Sequence, residues 1–243
     1  MHKTACTDCP LRDCSLFDRL TQSELEFMLS FKSGEMQAQP GTTILLEGSS
    51  SPQLYTVLQG MGTRYVTLED GQRQVINFAF PGDFIGLQAS LMGEMKHSVE
   101  ATTDMVLCIF RREDLWSLFR AHPDRAYDLT WIAAAEEHFL GETIATLGRR
   151  DAIQRIAWAL LRMYQRLRAL GLARGGSVPL PFRQQDLADA LGLSLVHTNK
   201  TLSKLREREL VRWTDGMLTL FDKSALAQIA MTELEPAVTR PLI

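Results

Sequence analysis

No run of about 18 consecutive apolar residues occurs in this 243-residue chain, so a transmembrane helix is not expected. Met1 to Cys6 contain no apolar stretch. They are therefore not expected to form a secretory signal, and a cytoplasmic location without membrane attachment follows. Gly-rich phosphate loops are missing, as are a histidine metal cluster and a Ser-His-Asp arrangement with supporting context. An enzyme is not expected. Of the five histidines, His122, His138 and His197 fall on expected helices or their boundaries, and His2 and His97 have no visible partner. Internal repeats and low-complexity segments are absent too. The apolar fraction of 45% and charged fraction of 23% exclude wholesale disorder and a fibrous chain. The length leaves room for one large domain or two ordinary ones.

The net charge of −3 conceals an asymmetry. Between Arg149 and Trp213, Lys and Arg outnumber Asp and Glu by 13 to 5. In the rest of the chain the acids lead by 24 to 13. A cationic segment joined to an anionic one suggests a polyanion-binding part and a part with another task. Charge alone fits an ordinary solvated helix face equally well, so motifs must decide.

Residues 1–20 form a short Cys-bearing arm, and 21–120 a β-rich module. A helix is expected over 21–31, capped by Thr21 or Ser23 and burying Leu25, Met28 and Leu29. Short strands follow between turns, near 42–46, 53–58, 63–68, 73–78, 99–102 and 105–110. Asp70-Gly71 and Pro81-Gly82-Asp83 supply turn signals. This pattern indicates an antiparallel sandwich or barrel. A long helix fills 121–148, starting at Asp124. Leu129, Ile132, Ala133, Glu136, Phe139, Leu140, Thr143, Ile144 and Leu147 fall on one side at three- and four-residue steps. That seam favours a parallel coiled-coil homodimer over packing within the chain.

Residues 149–243 read as a second, mostly helical module. Within it, Arg183 to Leu202 carries the most specific signal. A first helix packs through Leu187 and Leu191, with Ala188 where two helices approach closely. Gly192 permits a sharp turn, and Ser194 caps a second helix. That helix is expected to bury Val196, Leu202 and Leu205. His197, Thr198, Asn199 and Lys200 are left to read base edges in a major groove: Asn199 suits adenine, Lys200 guanine and the Thr198 methyl thymine. Arg183, Gln185, Ser194, Lys204 and Arg206 are expected at phosphates. Val211 to Phe221 then forms a hairpin around Asp215-Gly216, completing a winged helix-turn-helix. A helical hairpin with a basic face is the plain alternative. The small-Gly-cap spacing, the wing and the charge balance together favour double-stranded DNA. A protein-binding regulatory subunit using the β-rich module alone leaves the winged helix unexplained.

The whole order resembles the Crp/Fnr superfamily of bacterial transcription regulators. Pro81-Gly82-Asp83-Phe84-Ile85-Gly86 is similar to that family's P-G-[DE]-x-x-G turn. Leu147 to Ala157 resembles the start of its DNA-binding module. The resemblance implies an α+β chain: a double-stranded β-roll like those that bind cyclic nucleotides, a dimerisation helix, and a C-terminal winged helix-turn-helix. It implies a homodimer on a palindromic promoter site, with RNA polymerase as a further partner. Where the best-known members carry a Glu and an Arg four residues apart for base contacts, this chain has Val196 and Lys200. Gly192 to Leu202 is similar to an alphaproteobacterial branch, so a different half-site is expected. The founding branch holds cAMP with a Glu and an Arg-Ser pair. Here Leu87 and His97-Ser98 stand at those places, so cAMP is not expected.

Three of the four cysteines, Cys6, Cys9 and Cys14, lie close together, and Cys108 lies at the end of the β-rich module. This resembles the oxygen-sensing branch, in which three N-terminal cysteines and one β-roll cysteine hold a [4Fe–4S] cluster. The resemblance assigns Cys6, Cys9, Cys14 and Cys108 as ligands. The Cys9-to-Cys14 spacing is shorter than in the best-studied oxygen sensors. Four thiolates suit iron–sulfur and also zinc; thiols without metal are the plain alternative, as is a thiol-redox role. On the cluster reading, low oxygen ties the arm to the β-roll and biases the seam toward dimer. Repulsion between Glu136 and Glu137 keeps that equilibrium switchable.

Overall fold

The computed structural model describes residues 4–234 and 236–243, so His2 lies outside the described residues. The chain divides into two compact units: Met1–Ala135 together with Thr239–Ile243, and Glu136–Val238. Among the described residues no helix is long and apolar enough to cross a membrane.

The first unit opens with two short 3-10 turns, Cys6–Asp8 and Pro10–Asp13. Helix α1, Gln22–Phe31, begins at a capping box. The Glu24 amide donates to Thr21 Oγ1 at 3.3 Å, and the Thr21 amide to Glu24 Oε2 at 2.7 Å. Two orphan donors of the first turn are satisfied in this way. The buried stripe is Leu25, Met28 and Phe31. Leu29, expected inside, is 42% exposed, because a strict three-residue step from Met28 selects Phe31.

Strands β1 (Lys32–Ala38), β2 (Thr43–Leu45), β3 (Gln53–Gln59), β4 (Gly62–Thr67), β5 (Arg73–Ala79) and β6 (Phe84–Ile85) follow, then helix α2 (Leu87–Met92) and strands β7 (Ser98–Ala101) and β8 (Met105–Arg111). They form two antiparallel sheets, ordered β1-β8-β3-β6 and β2-β7-β4-β5. Val57 and Leu107 from one sheet and Ala79, Val99 and Ala101 from the other meet in a single core. This is the β-roll of an α+β chain. Strand β1 was not legible, because Lys-Ser-Gly-Glu-Met-Gln-Ala is polar and lies at a sheet edge. The turn before β6 requires glycine at 82: φ is +84°, and a Cβ there would stand 2.1 Å from the Phe17 ring.

Helix α3 (Leu115–Ala121) leads to α4 (Pro123–Arg149), whose proline occupies a first-turn position needing no amide donor. In the second unit Asp151 caps α5 (Ala152–Ala169) through a capping box with Gln154. Strand β9 (Ser177–Pro179), helices α6 (Gln184–Leu191) and α7 (Leu195–Glu207), strands β10 (Val211–Thr214) and β11 (Met217–Leu220) and helix α8 (Lys223–Ala230) complete it. The three strands form one sheet, β10-β11-β9. Asp215 and Gly216, with φ of 52° and 68°, make the tight hairpin turn. The module expected over 149–243 ends before Thr239. Leu242 and Ile243 are only 6% and 4% exposed, and they bury themselves in the first unit.

Candidate nucleic-acid interface and thiol pocket

Helices α6 and α7 pack on each other and on α5. Gly192 ends α6 in the left-handed region, at φ 61°. The Leu193 amide reaches back to the Ala188 carbonyl at 3.1 Å, closing the last turn of α6. Ser194 Oγ then accepts the His197 amide at 3.2 Å and starts α7.

The buried face of α7 is Thr198, Thr201 and Leu205. Two expectations change. Thr198, expected at bases, is 0% exposed, and Val196, expected in the core, is 79% exposed. The reason is angular. Residues two apart on a helix differ by roughly 200°, so burying Thr198 turns Val196 to the opposite side. The open face presents Val196, His197, Asn199, Lys200 and Lys204. The periodicity puts Val196 in the core while the family resemblance puts it at a base-contact position; its 79% exposure agrees with the second, and counting back from a buried Leu205 gives the same face.

Several of the cations in the basic segment have partners within the unit. Arg150 Nε donates to Ala230 O at 2.7 Å. Arg155 donates to Leu147 O at 2.7 Å, Arg150 O at 2.8 Å and Leu191 O at 3.0 Å. Arg162 pairs with Glu142. Arg183 grips buried Asp186 with Nη2–Oδ1 at 2.8 Å and Nε–Oδ2 at 3.2 Å. Its side chain stays 68% exposed while holding the start of α6. Gln185, half-buried, donates to Asp189 at 2.5 Å. Arg206 lies exposed and donates to Ser203 at 3.0 Å. Ser194 and Lys204 are open to solvent.

The expected seam on α4 is divided. Leu129 and Ile132 are 2% and 5% exposed inside the first unit. Phe139 stacks on Trp158 with centroids 6.2 Å apart, and Glu136 is half-buried. Of the expected dimer face, Leu129 and Ile132 are thus covered within the protomer, while Glu136 and Phe139 stay partly open; spacing alone cannot say which neighbour covers a stripe. Leu140 and Ile144 stay 43% and 71% exposed. With exposed Ala133, Glu137 and Gly141 they form a second stripe, rotated from the first.

In the first unit, Cys6, Cys9 and Cys108 line one pocket with Met28, Lys32 and Ile243. Cys14, from the same arm, is not part of that lining. Among the described residues no three His, Cys, Asp or Glu side chains stand close enough to hold a metal ion. Burial pushes the Cys108 thiol up to about 11, with Lys32 pulling the other way. Burial also works against the Lys32 ammonium. Glu35, whose Oε1 lies 2.6 Å away, and Cys108 outweigh it, so the net direction is up. In the β-roll, Ser98 Oγ accepts the Glu47 amide at 3.0 Å, and His97 Nε2 accepts from Arg64 at 3.2 Å. Both residues are 3% exposed.

A family model described as a cyclic nucleotide-binding domain matches residues 35–122. One described as a Crp-like helix-turn-helix domain matches residues 154–229. The chain is 31% identical over 231 residues to the nitrogen fixation regulation protein FixK of Bradyrhizobium diazoefficiens, covering 93% of each. It is 29% identical to the transcriptional activator protein FnrL of Cereibacter sphaeroides, covering 90% of this chain and 85% of that one. Among solved structures, FixK2 from Bradyrhizobium japonicum superposes with a TM-score of 0.74 at 27% identity, covering 83% of this chain and 98% of that one.

Proposed function

Because the chain belongs to the Crp/Fnr family of DNA-binding transcription regulators, we propose that it binds a palindromic promoter site as a homodimer and reports oxygen or redox state through its four cysteines. Regulators of this family are not enzymes, and they act on DNA as dimers.

Paired copies of α7 enter successive major grooves, roughly 34 Å apart. Lys200 suits guanine O6 and N7, Asn199 suits adenine, and the Val196 methyls suit the thymine methyl. His197 borders the same edge. Ser194, Lys204 and Arg206 hold phosphates. The two protomers meet through Ala133, Leu140, Gly141 and Ile144, which lie open on α4. Glu137 lies within that stripe, and its charge keeps association marginal.

Cys6, Cys9, Cys14 and Cys108 are the proposed ligands of a [4Fe–4S] cluster. The observation that carries this is one pocket lined by thiols from the arm and from β8. The donor type suits iron–sulfur, but no three of these side chains stand within metal-binding reach among the described residues, so holding a cluster requires the arm to move. A bound cluster supplies a centre that oxidants alter. The chain's own part is to bring Cys14 to the pocket and to exclude water with Met28 and Phe110. A regulator without a cluster, responding to another small-molecule or thiol signal, is the second reading; the position of Cys14 outside the lining favours it. We propose no cAMP site, because neutral, buried His97 offers no cation to a phosphate.

Iron and sulfide analysis of protein made and kept without air tests the cluster. Colourless, iron-free protein refutes it, as does a Cys14→Ala chain with unaltered iron and regulation. Selection of bound duplexes from random DNA tests the operator. A recovered palindrome supports the dimeric reading, and binding indifferent to sequence overturns it.

A further inference from the structure

The first unit is completed by residues from the far end of the chain. The Arg240 amide donates to Leu16 O at 2.9 Å, and the Asp18 amide donates to Arg240 O at 3.0 Å. Arg240 also pairs with Asp83 at 3.0 Å. Arg125, itself 4% exposed, donates to Leu242 O at 3.0 Å. Thr56, 2% exposed, donates its hydroxyl to Ile243 O. These contacts seat the Leu242 and Ile243 side chains in the wall of the pocket that Cys6, Cys9 and Cys108 also line.

Leu242 and Ile243 form part of the wall that encloses Cys108, which is only 8% exposed. A group carried on the three thiols must occupy volume beside those same two side chains. Close-packed interiors do not admit both without displacement. Residues 231–238 join this segment covalently to the end of α8.

We infer that Arg240–Ile243 is a latch on the thiol pocket: the seated segment shields Cys108, and a group bound at the thiols expels it. The coupling is reciprocal, since each occupant weakens the other by the same factor. This extends the cluster reading, yet it requires only that the thiols and the segment share one pocket.

The test uses metal-free protein and N-ethylmaleimide. Mass spectrometry follows labelling of Cys108 in the full chain, in Thr56→Val, and in a chain ending at Val238. Both variants label about tenfold faster than the full chain if the segment shields the thiol; equal rates in all three overturn the latch. Thr56→Val removes one hydroxyl and keeps the side-chain shape, so it answers even if the shortened chain unfolds. Amide exchange at Asp18 and Arg240 is then followed in the full chain before and after labelling. Expulsion speeds both by about tenfold, and unchanged protection overturns it. Iron analysis is independent of both arms. A chain that holds no iron but passes them loses the cluster and keeps the latch.

Discussion

The Arg155 guanidinium donates to the Leu191 carbonyl at 3.0 Å, one residue before the Gly192 turn. The same side chain holds Leu147 O and Arg150 O at the end of α4. A single cation therefore fixes the first helix of the DNA-reading pair to α5 and to the helix that enters the module. Arg155→Met should destabilise the unit by about 2–3 kcal/mol, the range for charge-assisted bonds to carbonyls. Urea unfolding measures this. DNA affinity should fall with no change in its salt slope, because Arg155 touches no phosphate; a reduced slope would refute that placement.

Lys204→Gln should do the opposite. Folding stability stays within about 0.5 kcal/mol, while the slope of log affinity against log salt drops by about 0.9 per lost phosphate contact. Lys200→Met should cost about 1–3 kcal/mol and relax preference at one base pair of each half-site. Unaltered preference after Lys200→Met would remove α7 from the base edges.

Thr198 tests the rotation of α7. Its hydroxyl is buried with no hydrogen-bond partner among the described residues. Thr198→Val keeps the shape and discards the desolvated oxygen, so it should stabilise the protein by about 1 kcal/mol and leave base preference unchanged. Loss of preference would return Thr198 to the DNA surface.

The two stripes of α4 separate folding from association. Ile132→Ala, at a site 5% exposed, should cost about 2–5 kcal/mol of folding stability. Ile144→Asp, at a site 71% exposed, should leave folding unchanged and shift sedimentation toward monomer. Folding loss at Ile144 with a retained dimer would reverse the assignment.

His97 gives stability a pH dependence of known sign. Burial holds its imidazole down to about 3, with Arg64 adding to the effect; the unfolded chain restores about 6.5. Above about pH 6.5 neither state takes the proton, and the contribution is fully present. As pH falls toward about 3, only the unfolded state binds it, so stability drops by about 1.4 kcal/mol per pH unit. The total loss approaches roughly 5 kcal/mol and then levels off. His97→Gln should flatten this component in denaturant titrations between about pH 7 and about pH 5. Equal slopes in both chains would place the ring in solvent.

Local chemistry was legible where the cause was local. Thr21 and Ser194 cap their helices, and Asp215-Gly216 turns the wing, because each acts on amides a few residues away. The placements of Val196 and Leu129 were not legible in the periodicity, since a stripe's spacing does not name the surface that covers it. The charge tally counted Arg150 and Arg155 with the DNA cations, although their guanidinium groups serve helix-end carbonyls. Thr56 and Leu242 carry no pattern at all. Their roles arise only when strands distant in sequence are brought into register.

The order of the fold makes the winged-helix module an insertion within the β-roll unit. An excised fragment spanning residues 1–148 would be missing part of its own interior. A synthetic peptide of sequence Thr-Arg-Pro-Leu-Ile, supplied in trans, is the piece that would complement it. Equally, a protease nick in the 231–238 connector would leave a split molecule whose last five residues stay bound without a covalent link.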